Sequence, residues 1–167
     1  MYAIGTSVLY ARTGVCRIES IGSAPFQKHD DQRYYKLRAV FSNSGEYIYI
    51  PVDTAVSMRP LIDSGEAADF LKQLPQLKPQ HLTFRKPAEL AAHYQEMLAC
   101  GDPESFLLLI KEIYLKGKDL TAQHRKLGQV DARYLKIAER LVCEEFAVAL
   151  RTEPESIKDR LQSGIFQ

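Results

Sequence analysis

The sequence predicts an α+β fold in which a small, strongly bent sheet or partial barrel fills roughly the first sixty residues and an all-helical bundle fills the rest. Three observations carry this. Polar and apolar residues alternate with period two in YYKLRAVF (34–41) and EYIYIPVD (46–53), as strands with one buried face do. Beyond residue 63 the apolar spacing changes to about 3.6, the helical period. Pro75, Pro79 and Pro87 then interrupt any continuous helix. The expected organisation is a strand-rich domain over 1–62, a short helix with a Pro-containing linker over 63–87, and a helical domain over 88–167.

The strand region starts with Ser7 to Ala11, turns at Thr13-Gly14 and continues from Val15 to Ile21. Ser23-Ala24-Pro25 and His29-Asp30-Asp31-Gln32 bracket an exposed loop before the third strand. In that strand Tyr35, Leu37, Ala39 and Phe41 share one side, and Lys36 and Arg38 the other. In the fourth, Ile48, Ile50 and Val52 oppose Tyr47 and Tyr49. A turn through Ser42-Asn43-Ser44-Gly45 pairs Phe41 with Glu46, Ala39 with Ile48, Arg38 with Tyr49 and Leu37 with Ile50. Met58-Arg59-Pro60 ends the β region.

Asp63-Ser64 reads as the cap of a short helix from Glu66 to Leu74. Pro87 suits the first turn of a helix through Ala88 to Ala99 that Gly101 stops. Asp102 caps the next helix, with Pro103 at its first position. Phe106, Leu107, Leu108, Leu109, Ile110, Ile113, Tyr114 and Leu115 make it apolar almost all round, hence central. From about Val130 to Leu150 a long helix places Tyr134, Ile137, Ala138, Leu141, Val142, Val148 and Ala149 on one arc and Arg133, Lys136 and Arg140 on the other. Glu145 falls inside the apolar arc, where a carboxylate needs a partner; its expected role is structural. Glu155 to Gln162, after Pro154, forms the last helix.

Apolar residues at 46% and charged residues at 26% describe a globular chain, and a net charge of +1 names no partner. Distribution is more informative: residues 111–140 hold eight Lys or Arg against four Asp or Glu, whereas residues 1–75 balance at eight and eight. Any nucleic-acid surface is therefore to be sought in the second half. Cys16, Cys100 and Cys143 lack the paired spacing of a zinc site, and no stretch reaches the roughly 20 apolar residues that span a bilayer. The expectation is a cytoplasmic, soluble chain with free thiols, no metal and no cofactor. His29, His81, His93 and His124 stand in no catalytic context, so no enzyme and no catalytic residue is expected. Cys16, alternating with Ile18, is expected to be buried.

Lys36, Arg38, Tyr47 and Tyr49 form an aromatic and basic strip suited to a protein partner, although the same residues also suit an ordinary solvated sheet face. VLYARTGVCRI (8–18), YYKL (34–37), YIYIPVD (47–53) and MRPLI (58–62) resemble, in order and spacing, the RNA polymerase interaction domain of the CarD/CdnL transcriptional regulators, shared with the transcription-repair coupling factor. YQEMLACGD (94–102) and LKIAERLVCEEFA (135–147) are similar to that family's helical domain. The resemblance implies a Tudor-like small β-barrel that binds the RNA polymerase β subunit, here through Lys36, Arg38, Tyr47, Tyr49 and Pro51. It also implies a helical domain resting on promoter DNA at the upstream edge of the melted region, modulating open-complex stability.

Two departures stand out. Relatives wedge a tryptophan against the DNA, whereas this chain has no Trp and carries Phe84 and Arg85-Lys86-Pro87 in the corresponding region. Some relatives place an arginine in the strand that here reads YIYIP; Tyr49 stands there, with Arg38 expected to supply the charge across the hairpin. Weak, largely non-specific DNA contacts are expected from Phe84, Arg85, Lys86, Lys118, Arg125, Lys126, Arg133, Lys136 and Arg140. The rival reading is a polymerase- or protein-binding adaptor that never touches DNA. No membrane partner is expected, and the chain reads as a monomer, with a domain-swapped dimer through the Pro-containing junction as the alternative.

Overall fold

The computed structural model describes residues 1–10, 13–28, 31–54 and 58–166. Ala11, expected at the end of the first strand, and His29 and Asp30, expected in the following loop, lie outside the described residues. The chain divides into two compact units, Met1–Leu61 and Ile62–Gln167. Among the described residues an antiparallel five-stranded sheet followed by five α-helices makes the fold α+β.

The first unit contains β1 (Ser7–Tyr10), β2 (Gly14–Gly22), β3 (Tyr34–Ala39), β4 (Tyr47–Pro51) and β5 (Met58–Pro60), in the order β4-β3-β2-β1-β5. Among the described residues β4 and β5 are the edges, so the sheet is open and not a closed barrel. Val8, Cys16, Ile18, Tyr35, Leu37, Ile50 and Met58 form its buried core. The expected inward positions of Cys16, Tyr35, Leu37 and Ile50 are observed. A bulge between Ile18 and Ser20 adds one residue to β2 opposite β3. Met58-Arg59-Pro60 does not merely end the region: it pairs with β1 as an edge strand, where a proline is tolerated.

The β3–β4 register differs from the expected one by two residues. Leu37 pairs with Ile48, Lys36 with Tyr49 and Arg38 with Tyr47. β3 ends at Ala39; Val40 still donates its N–H to Val15 O of β2 at 3.0 Å, and the connection to β4 runs over 40–46 in place of a four-residue turn. Within it Ser42 Oγ takes the Ser44 N–H at 3.3 Å, Ser44 Oγ takes that of Glu46 at 3.3 Å, and Gly45 supplies a φ of +71°. Phe41, expected on the core face, lies in this loop and is exposed. A shift of two preserves side-chain direction, so the two faces keep their expected residues elsewhere.

The second unit comprises α1 (Ser64–Gln73), α2 (Pro87–Ala99), α3 (Pro103–Ala122), α4 (Gln129–Leu150) and α5 (Pro154–Ile165). Asp63 and Glu66 form a capping box at α1, an arrangement worth about 1 kcal/mol. Asp102 Oδ2 accepts the Ser105 N–H at 3.3 Å, with Pro103 opening α3. Gly101, at φ +73°, ends α2. Packing of α3 on α4, of α4 on α1 and α5, and of α2 on both long helices builds the core. The segment 63–87 lies within this unit. Lys111, buried in α3, donates to Leu74 O at 2.5 Å and Pro75 O at 3.1 Å, which fastens the Pro-containing stretch to the central helix.

On α4, residues Leu141 to Ala147 are all buried, whereas Val148, expected on the apolar arc, is exposed. Glu145 is fully buried and its Oε2 accepts the Ile62 N–H at 3.1 Å, consistent with a structural carboxylate. No described helix is long and apolar enough to cross a membrane.

Candidate functional site

In the first unit the outward face of β3 and β4 carries Tyr34, Lys36, Arg38, Tyr47, Tyr49 and Pro51, because residues two apart on a strand project together. Lys36 Nζ lies 3.9 Å from the Tyr47 ring centre, a cation–π contact that holds both side chains along the face. Arg38 is exposed between Arg17 of β2 and Tyr47 of β4. The residue across from Tyr49 is therefore Lys36, not Arg38, and Arg38 does not supply its charge directly across the hairpin. Pro51, half-buried, pairs with Tyr34 at the end of β4.

Sequence reasoning missed Phe26. It is 67% exposed and stands edge-on to Tyr34 at 5.6 Å and to Tyr49 at 6.0 Å between ring centres. Gln27 orders its loop, donating its N–H to Ala24 O at 3.0 Å and accepting the Ala24 N–H at 3.3 Å. A single aromatic in a Pro-containing loop has no periodicity to reveal it. The resulting surface combines an aromatic cluster at one end with Lys36, Arg38 and Arg17 beside it, the composition of a protein-binding face.

In the second unit, Phe84 is half-buried, stacked on His93 at 5.1 Å and 29°, while His93 Nε2 lies 3.1 Å from Glu112 Oε1. Arg85 and Lys86 are exposed just before α2. Arg133, Lys136 and Arg140 are exposed along α4, with the Arg133 guanidinium 4.9 Å from the Tyr134 ring centre and Arg140 Nε donating to Glu144 Oε1 at 3.2 Å. Lys118, Arg125 and Lys126 are exposed and line a separate groove of about 790 Å³ at the end of α3.

Behind these surfaces lie two tyrosine–carboxylate pairs, one buried and one half-buried. Tyr94 donates to Asp131 Oδ1 at 2.6 Å, and Lys116 Nζ reaches Asp131 Oδ2 at 2.9 Å. Tyr114 donates to Glu139 Oε1 at 2.6 Å. Burial first, and the adjacent carboxylate second, push both phenols well above the usual tyrosine range. Burial also pushes the Cys143 thiol up to about 12, far from the thiolate form a nucleophile needs, and lowers Lys111. Among the described residues no group of three His, Cys, Asp or Glu is placed to hold a metal ion.

An open sheet presenting tyrosines, cations and a projecting phenylalanine has the make-up of a macromolecular-interaction surface. Residues 2–62, less than half of the chain, match the CarD-like/TRCF RID domain, which supports an RNA polymerase-interacting role for the first unit. The match spans nearly all of the strand-rich unit and leaves the helical unit outside it. No curated protein matches the chain.

Proposed function

We propose that the chain is a CarD/CdnL-type transcription regulator. Its first unit, a Tudor-like module in function, engages the RNA polymerase β subunit through Lys36, Arg38, Tyr47, Tyr49 and Pro51. Its helical unit rests on promoter DNA and alters the stability of the open complex. The domain match over residues 2–62 carries this reading, because it supports an RNA polymerase-interacting role and the face argued from chemistry falls within the matched segment. Arg85, Lys86, Lys118, Arg125, Lys126, Arg133, Lys136 and Arg140 supply phosphate contacts that position without reading sequence. DNA affinity is weak in isolation and is raised by recruitment through polymerase.

The test is binding of the purified chain to a β-lobe fragment, with and without forked promoter DNA, at two salt concentrations. Lobe binding with salt-sensitive enhancement by DNA is the expected result; absence of lobe binding overturns the reading. A second reading, an adaptor without DNA contact, is favoured by Phe84, whose ring lodges against His93 and does not project as a wedge. Lobe binding indifferent to DNA would select it.

A further inference from the structure

The groove at the end of α3 has a composition that phosphate positioning alone does not require. Its rim carries three exposed cations, Lys118, Arg125 and Lys126, and none of the described lining residues is acidic. Its floor is apolar, with Leu127 and Leu135 half-buried. Gly117, inside α3, admits the Leu127 side chain: a Cβ there would meet Leu127 Cδ1 at 3.4 Å. Leu127 thus lies within ordinary contact distance of the Gly117 position.

One wall is aromatic. The Phe166 ring lies nearly parallel to that of Tyr114, at 9° and 6.0 Å between centres, and is 47% exposed. Tyr114 is held by its hydrogen bond to Glu139, so Phe166 rests on a fixed ring. Lys118 Nζ lies 5.6 Å from the Phe166 ring centre, which places a cation beside the exposed aromatic surface. Thr121 and Gln162 add hydrogen-bonding side chains to the lining.

We propose that this groove binds an unpaired nucleic-acid strand, with a base lying against Phe166 and the flanking phosphates on Lys118, Arg125 and Lys126. Cations that follow a backbone, combined with an aromatic platform, are what single strands need and duplexes do not, since paired bases hide their faces. Charge complementarity favours a polyanion, and the apolar floor and exposed ring favour one with accessible base faces. The assignment deepens the proposed DNA contact and rests on it, specifying the melted strand as the form bound.

The chain has no tryptophan, so Phe166→Trp places a single fluorophore in the groove. Titration of this variant at low salt with an oligothymidylate single strand is expected to quench the tryptophan, and a duplex of equal length is expected to quench it much less. In anisotropy with the otherwise unchanged chain, Phe166→Ala is expected to weaken single-strand binding roughly 5- to 150-fold, the range for losing one stacking ring. Replacing Lys118, Arg125 and Lys126 together by alanine should reduce the magnitude of the salt slope by about 2.

Equal quenching by duplex and single strand, or unchanged affinity in Phe166→Ala, overturns the proposal while leaving a general DNA contact intact. No binding of either nucleic acid, with β-lobe binding retained, overturns both the groove and the DNA contact but leaves the polymerase reading standing. Quenching by an acidic amphipathic peptide and not by the strand overturns it and reassigns the groove to a protein.

Discussion

At the scale of single residues, the buried polar groups of the helical unit are answered one by one, and each answer has a measurable cost. Glu145 accepts the Ile62 N–H, so Glu145→Ala removes an acceptor from a peptide group at the start of the helical unit. A loss of about 1–3 kcal/mol is expected, read as a lower urea midpoint. Tyr94 and Tyr114 are held above the unfolded value of about 10. In alkaline solution the native state therefore binds more protons than the unfolded one, so their contribution is intact below pH about 10 and falls away above it. Lys111 acts in the opposite sense: its lowered value makes the native state bind fewer protons up to about pH 10.4, so the penalty for burying its charge is relieved as pH rises. Replacing both tyrosines by phenylalanine should lower stability at neutral pH by about 1 kcal/mol for each lost hydrogen bond. The same double variant should flatten the alkaline decline in a series of urea melts against pH.

At the scale of elements, two helical glycines, Gly117 inside α3 and Gly164 in the last turn of α5, separate propensity from packing. Alanine at Gly117 gains roughly 0.8–1 kcal/mol of helix propensity, and at Gly164, at a helix end, less. At Gly117 the new Cβ would meet Leu127 at 3.4 Å, close to ordinary contact, whereas at Gly164 it would meet Leu74 Cδ1 at 3.1 Å. Gly117→Ala is thus expected to stabilise the chain by up to about 1 kcal/mol, and Gly164→Ala to be close to neutral. If Gly164→Ala proves the more stabilising in chemical denaturation, the packing argument fails. On the sheet, Arg38→Ala with Tyr49→Ala removes an exposed cation and a half-buried ring without touching the core cluster. Abolished β-lobe binding with an unchanged melt is the expected outcome, and retained binding would remove the face from the proposal.

At the scale of the whole molecule, each unit has its own core. Leu37 is fully buried in the sheet cluster, and Leu37→Ala should cost about 2–5 kcal/mol there. Because that cluster lies wholly in the first unit, the helical circular-dichroism transition should stay where it was while β-lobe binding is lost. A helical transition that moves by the same amount would show that the two units unfold as one.

The sequence by itself determined the succession of strands and helices, the caps at Asp63 and Asp102, and which side of each strand faces inward. These depend on neighbours within a turn or two of chain, and on periods that a shift of two residues leaves unchanged. Leu37 and Ile50 could be placed in the core, and Lys36 and Tyr49 outside it, while their pairing was two residues off. Register goes with a connection over 40–46 longer than a four-residue turn, which begins where Val40 bonds to Val15 of β2, a partner distant in sequence that leaves no local pattern. Tertiary structure alone also decided that Phe26 leans on Tyr34 and Tyr49, that Phe84 stacks on His93, and that Phe166 joins Lys118, Arg125 and Lys126 around one groove. Alternation and helical period report which side of an element is buried, but partners distant in sequence meet only when the elements pack, so what a side chain touches is settled by the fold.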